Sequence, residues 1–372
     1  MKMKAAVMTG VKQPLEIREV ELDPPKSDEV LVRILATAVC HSDLNTLEDP
    51  TTPVPQILGH EGAGEVVEVG ANVTTCKPGD RVVLSWLPYC GTCPYCRAGK
   101  TNLCETAFKP MFAGALMDGT SRLHMDGKQA YHMSLLSTFA EYAVVPQMSC
   151  VVVPKEMPMD KACMIGCGVS TGFGAAVRAA GVTAGSSVAV FGLGGVGTNA
   201  LQGAKLAGAS TIIACDIKDD NLSKAKMYGA THVVNTMDAD AAIETIKELT
   251  EGIGVEYAID CTGNVHVGNM AWRCARKGAT VVAVGAYPEG RSLELPAGGF
   301  HRQGKILKGS FYGDVNPFQD FPIIAKMYMD GKYDLDSLII EKIAFEDINK
   351  AFDAFYDPNA NNMGRYIIEF GK

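Results

Sequence analysis

The residues Gly192-Leu193-Gly194-Gly195-Val196-Gly197 follow a β-rich run, Ser187–Phe191, and open a helix-length segment, Gly195–Gly208. Strand, tight glycine turn and helix in that order constrain this chain more than any other feature. Gly192 makes the turn, Gly194 lets a pyrophosphate approach the backbone, and Gly197 lets helix and strand touch. Gly195 and Val196 begin the helix whose N-terminus meets the phosphate charge. Asp216 closes the next β-rich run, 19 residues past Gly197, where an acid accepts hydrogen bonds from an adenosine ribose. A lone G-x-G-x-x-G is also met in structural turns. Strand, turn, helix and acid together point to a dinucleotide. A carboxylate at Asp216 repels a 2′-phosphate, which favours NAD over NADP, and Lys218 weakens that preference only slightly.

The same region alternates throughout. Ser187–Phe191, Thr211–Cys215, Val255–Asp260, Thr280–Gly285 and Ile306–Ser310 are short β-rich runs. Between most of them lie helix-length segments such as Asn221–Tyr228 and Ala239–Thr250. That pattern predicts right-handed βαβ units and a parallel sheet covered on both faces. Residues 1–170 read differently, as strands and loops with little helical periodicity before Met159. Glu29–Ala36, Gly64–Val69, Asp80–Leu84, Phe139–Val145 and Cys150–Val153 are its β-rich runs, separated by Pro and Gly. After Phe311 two amphipathic helices, Phe318–Met329 and Phe345–Phe355, and a closing strand, Arg365–Phe370, are expected to pack back on the first region.

Length and composition set outer limits. A chain of 372 residues suggests two domains, at roughly 150 residues each. The net charge is −8 and no basic run occurs, which argues against nucleic acid and against an anionic membrane surface. No apolar stretch of the sequence approaches the ~18 residues that cross a bilayer, and the N-terminal apolar segment is short for a signal peptide. The expectation is a cytoplasmic protein with no membrane partner.

Twelve cysteines occur in a chain too long to need disulfide staples. Cys90, Cys93, Cys96 and Cys104 form C-x2-C-x2-C-x7-C, and four thiolates at that spacing can surround one tetrahedral ion. With no open position such a zinc is structural; spacing alone leaves an iron–sulfur cluster as the chemical competitor. Cys40, His60 and Cys167 are dispersed. Taken singly, each reads as an ordinary buried side chain.

The segments VCHSD, ILGHEGAGEVVEVG, CGTCPYCRAGKTNLC, DGTSR, STFAEY, GCGVSTGFGAAV, GLGGVG and GRYIIEF change that reading. In their order and spacing the chain resembles the zinc-dependent alcohol dehydrogenases of the medium-chain dehydrogenase/reductase superfamily, over essentially its whole length. DGTSR and CHSD lean toward the class III (glutathione-dependent formaldehyde dehydrogenase) and aryl-alcohol branches. The resemblance implies an α/β architecture: a GroES-like, mostly-β catalytic domain from residues 1–168 and 312–372, with a Rossmann domain, a doubly wound parallel sheet, inserted at 169–311. Coenzyme and substrate would meet in the cleft between them.

It also implies site residues. Cys40, His60 and Cys167 become ligands of a catalytic zinc, and Glu61 an acid that can enter or adjust its coordination shell. Asp43 would orient His60, and Ser42 would take the alcohol proton. His41 and Arg365 would face the coenzyme pyrophosphate, and Thr171 would pack against the nicotinamide. The cofactors are then NAD and two zinc ions per subunit, one catalytic and one structural. The partner is a small alcohol or aldehyde, and the assembly a homo-oligomer, a tetramer over a dimer.

Three departures bear on the substrate. Asn45 stands where many members end the proton relay with a histidine. Phe108, beside Lys109, stands where the glutathione-dependent branch has a carboxylate-binding arginine, and EDPTTPVP replaces the acidic contacts before the GHE turn. Trp86 fills a pocket position common to Phe or Tyr, and Phe139 is a further candidate wall. The expected substrate is a primary alcohol with an aromatic or allylic group, with S-(hydroxymethyl)glutathione as the alternative. A non-catalytic protein binding NAD and zinc is the reading from another class, and the intact ligand sets weigh against it.

Overall fold

The structure, a computed structural model, describes residues 1–357 and 360–371. Its contacts divide into two compact units. The first holds Met1–Cys167, Asn316–Ala360 and Gly364–Lys372; the second holds Gly168–Val315 and the short excursion Asn361–Met363.

The first unit opens with ten strands: β1 (Lys2–Met8), β2 (Glu16–Leu22), β3 (Glu29–Val39), β4 (Gln56–Ile57), β5 (Glu61–Val69), β6 (Arg81–Leu84), β7 (Leu123–Met125), β8 (Lys128–His132), β9 (Tyr142–Pro146) and β10 (Cys150–Val152). Strands β1, β2, β7, β8 and β4 close into a small barrel. The long β3 carries the rest: it pairs antiparallel with both β5 and β9, bulging twice against β5. Its eleven residues are nearly all buried because both faces are covered, so strict alternation gives way to an apolar run. Arg122 of the DGTSR segment ties barrel to sheet. Its buried guanidinium meets Glu29 at 2.9 and 2.6 Å and Asp118 at 2.7 Å.

The second unit is a six-stranded parallel sheet: β11 (Ser187–Phe191), β12 (Thr211–Asp216), β13 (His232–Asn235), β14 (Val255–Asp260), β15 (Ala275–Ala283) and β16 (Ile306–Gly309). The order is β13-β12-β11-β14-β15-β16, so the chain winds outward both ways from the β11/β14 pair. Its core joins Phe191, Ile213, Ile243, Ile246 and Trp272 from strands and flanking helices. Returning to the first unit, β17 (Ile339–Ile343) lies parallel to β18 (Arg365–Glu369), and β18 pairs antiparallel with β3.

Several elements differ from the sequence reading. Helices His41–Glu48 and Glu105–Phe112 interrupt the region read as strand and loop; at eight residues each they are too short to show a period. The segment Asn221–Tyr228 becomes Asp219–Lys224 followed by a 3₁₀ turn. Met159–Ala180 is one 22-residue helical run apolar enough to pass for a membrane span, contrary to the expectation that none exists. In the fold 83% of its apolar window is buried, so it is a core helix.

Candidate metal and coenzyme sites

Two donor sets converge in the first unit. Cys40 caps the helix His41–Glu48 where β3 ends, with extended backbone at φ −113°. Asp43, in that helix's first turn, is fully buried and accepts from Cys40 N at 2.8 Å through Oδ2. Its Oδ1 faces Gly59 N at 3.2 Å and His60 Nδ1 at 3.0 Å. One carboxylate thus fixes the backbone of one donor and the ring of another. Gly59 makes the turn into His60 at φ +92°, and a Cβ there would stand 2.6 Å from the Phe139 ring. Cys167 comes from a π-helical stretch, Ile165–Val169, a form that recurs at functional sites.

The donor atoms of Cys40, His60, Glu61 and Cys167 lie within 4.8 Å of one another. His60 Nε2 is buried and finds no hydrogen-bond partner among the described residues. With Nδ1 held by Asp43, that orphaned nitrogen is the lone pair a metal would take. The hydrogen bond with Cys167, against burial and with help from Arg365, pushes the Cys40 thiol well below its ordinary range. Cys167 moves up for the reciprocal reason, with burial adding to it. Thiols sharing protons at this separation describe a site whose protons a cation displaces. The residues fit zinc with two sulfurs and one nitrogen, leaving a fourth position.

Arg365 sits inside this cluster. Its Nε and Nη2 donate to Glu61 at 2.9 Å each, Nη2 also reaches Cys40 Sγ at 3.3 Å, and Nη1 donates to Gly364 O. In the fold the Arg365 guanidinium balances the buried carboxylate and thiol. Burial raises Glu61 to about 7 even against that arginine.

The second set is Cys90, Cys93, Cys96 and Cys104, again within 4.8 Å. Backbone N–H groups of Cys90, Thr92, Cys93 and Cys96 donate to these sulfurs at 3.3–3.5 Å. Thr106 Oγ1 and Thr92 Oγ1 add to the donors on Cys90 and, against burial, bring its thiol down to about 5. Four sulfurs so close leave room for one ion and none for a cluster, because Zn–S bonds of about 2.3 Å put tetrahedral sulfurs slightly under 4 Å apart.

In the second unit Gly192 turns at φ +82°, and a Cβ on Gly197 would stand 1.8 Å from Gly192 O. Neither glycine tolerates a side chain. The helix Gly195–Leu206 starts at Gly194 with no side-chain cap, leaving its first N–H groups for an anion. Thr171, buried, precedes Gly172, whose Cβ would lie 2.1 Å from Val196 O. Asp216 accepts from Leu193 N at 2.7 Å and Lys218 N at 2.9 Å. The turn and carboxylate fit a dinucleotide.

Two residues here were not visible in sequence. Asn221 donates to Asp216 at 3.2 Å and to Asn362 at 3.1 Å, and Asn362 arrives from the excursion Asn361–Met363. Ile217, 57% exposed beside Asp216, offers an apolar surface to a base.

The remaining candidates scatter. Ser42 and His41 are exposed on the helix after Cys40; Ser42 Oγ lies 3.8 Å from Cys40 Sγ, and His41 meets Phe355 edge-on. Trp86 is half-buried against the β3 core, and Phe108 half-buried beside Phe112. Phe139 is a correction. It is fully buried in a packed core with Phe352 at 6.4 Å, so it supports the Gly59 turn and does not wall a substrate pocket.

Known proteins agree with this arrangement. Residues 26–155 match the alcohol dehydrogenase GroES-like domain and residues 195–328 the zinc-binding dehydrogenase family. The chain is 42% identical over 366 residues to S-(hydroxymethyl)glutathione dehydrogenase of Paracoccus denitrificans, covering 96% of this chain and 97% of that one. It is 42% identical to the class-3 alcohol dehydrogenase of Myxine glutinosa, covering 95% and 94%. Among solved structures, benzyl alcohol dehydrogenase from Acinetobacter calcoaceticus superposes with a TM-score of 0.93 at 34% identity, with all of both chains covered.

Proposed function

The chain belongs to the zinc-dependent alcohol dehydrogenases, and within that family we propose that it oxidises a thiol-borne primary alcohol, S-(hydroxymethyl)glutathione, with NAD. The 42% identity across 96% of the chain to an enzyme named for that substrate carries the reading. Lys109 supports it: the side chain is exposed beside Phe108 and has no ion-pair partner among the described residues. An unpaired cation there can meet a substrate carboxylate.

Cys40, His60 and Cys167 would hold the catalytic zinc, and Cys90, Cys93, Cys96 and Cys104 a structural one. Bound there, zinc would supply Lewis acidity to an alcohol oxygen and the nicotinamide would supply a hydride acceptor. The chain's own groups do the rest. Asp43 keeps the His60 Nδ1 proton in place, so Nε2 keeps its lone pair free for the metal. Arg365 offsets the negative charge of Glu61 and Cys40. Ser42 Oγ receives the alcohol proton and, being exposed, passes it to water; Asn45, one turn on, does not titrate. Asp216 accepts the adenosine ribose hydroxyls.

A second reading, oxidation of an apolar aromatic or allylic alcohol, is favoured by Phe108 in the place of a charged contact and by the likeness to benzyl alcohol dehydrogenase. Benzyl alcohol, cinnamyl alcohol, ethanol, and formaldehyde with and without glutathione are compared by NADH absorbance under one set of conditions. The glutathione adduct is expected to give the highest kcat/KM. Lys109→Ala should then lower kcat/KM for the adduct by about tenfold and leave benzyl alcohol unchanged. A higher kcat/KM for benzyl alcohol hands the site to the second reading.

Coenzyme choice gives another expected result. Asp216→Gly removes the ribose acceptor and the repulsion of a 2′-phosphate. The NAD/NADP ratio of kcat/KM should fall by about tenfold or more. An unchanged ratio means Asp216 is not the discriminator.

A further inference from the structure

Asp260 ends β14, the strand that neighbours β11 at the point where the sheet's order reverses. In doubly wound sheets a dinucleotide lies across the carboxyl ends of the strands at that reversal, one half on each side. The Gly192 turn and Asp216 furnish the adenosine side. The other side lies beyond β14 and β15.

What stands there is a buried carboxyl with every oxygen engaged. Asp260 Oδ1 accepts from Thr262 N at 2.8 Å and Thr262 Oγ1 at 2.6 Å. Oδ2 accepts a short hydrogen bond from the Tyr287 hydroxyl. The Asp260 carbonyl accepts from Val284 N at 2.9 Å and Gly285 N at 3.0 Å. A single residue therefore clamps the loop after β14 to the loop after β15. The two loops touch backbone to backbone. A Cβ on Gly285 would stand 2.0 Å from Gly263 N, and one on Gly263, at φ +70°, 2.3 Å from Ala286 O. Room for the phenol is made by Gly268 in the helix Val265–Cys274, where a Cβ would approach Tyr287 Oη to 2.6 Å. The Gly192 turn joins the same assembly, since Thr262 Cγ2 lies 2.4 Å from where its Cβ would be.

We propose that the Asp260–Tyr287 clasp is the positioning element of the nicotinamide half of the coenzyme site, holding residues 284–287 in the shape that accepts it. This rests on the NAD reading above. The pair acts through the two loops it joins. An unclasped loop is free to sample other shapes, and binding must then order it.

Tyr287→Phe keeps the ring and removes the donor, and Gly268→Ala displaces the hydroxyl from the other side. The readouts are NADH affinity by fluorescence, AMP affinity by competition, and thermal stability of the coenzyme-free protein. Both variants are expected to weaken NADH by about tenfold while AMP, which uses only the adenosine side, stays within about twofold. Thermal stability should stay near wild type. NADH and AMP affinities that fall together reveal a general fold defect and overturn the proposal, as does NADH affinity that does not move. Wild-type protein that binds neither NADH nor AMP would overturn the NAD reading itself, and the clasp with it.

Discussion

Cys167→Ser is expected to leave a folded protein that binds NADH and turns over about a thousandfold more slowly. Lewis-acid stabilisation by a bound metal is worth several kcal/mol, and each ~1.4 kcal/mol is a decade in rate. The residue is well placed for so selective a loss. It is nearly buried, its thiol pairs with Cys40, and the next donor, His60, keeps its Asp43 contact without it. A serine hydroxyl matches the volume but is a poor replacement for a thiolate. Kinetics, bound zinc and NADH titration on one preparation check the result. Full activity in the variant would remove Cys167 from the metal site.

Cys104→Ser should act on stability instead. The loop from Cys90 to Cys104 has almost no core of its own: Thr101, Asn102 and Cys104 are its buried residues, and most others are exposed. Its helix Pro94–Arg97 is four residues long and buries none of them. Without a metal, little holds such a loop in one shape. Structural zinc sites bind with about 10–16 kcal/mol in small peptides, and losing one of four ligands removes several kcal/mol of that. Bound zinc should fall from about two per chain to about one, and the loop should become open to proteolysis. Lost chemistry with the loop's protease resistance intact would reverse the two metal assignments.

The four-cysteine loop was legible because its ligands sit within fifteen positions of one another, so local geometry nearly dictates their meeting. The parallel sheet was legible for a related reason: buried strands alternating with helices admit few topologies. Arg365 was harder. Glu61 lies 304 positions earlier, and only the pairing of β18 with β3 brings them together. Phe139 misled because an aromatic beside a glycine turn fits a pocket wall as well as a core. Its partner Phe352 belongs to a helix far along the chain, and no local pattern signals that contact. Asn221 reads as an ordinary helix residue until Asn362, 141 positions later, is seen beside it.

The π-helical stretch before Val169 has a consequence for angular phase. In an α-helix each residue advances about 100° around the axis, so an inserted residue rotates everything after it by that amount. Met159–Met164 is α-helical and locked, with Asp160 holding Lys161 at 2.5 Å and Lys342 at 2.6 Å. Gly166 is pressed against β6, where a Cβ would meet Leu84 O at 2.7 Å. Between those anchors and Cys167 the wider winding sets the direction in which the sulfur points. Deleting Ile165, the residue that links this α-helix to Gly166 and Cys167, would swing Cys167 by about 100° away from His60. Aim at this metal site is thus a property of residue count in one turn, on which a deletion acts more severely than any substitution beside it.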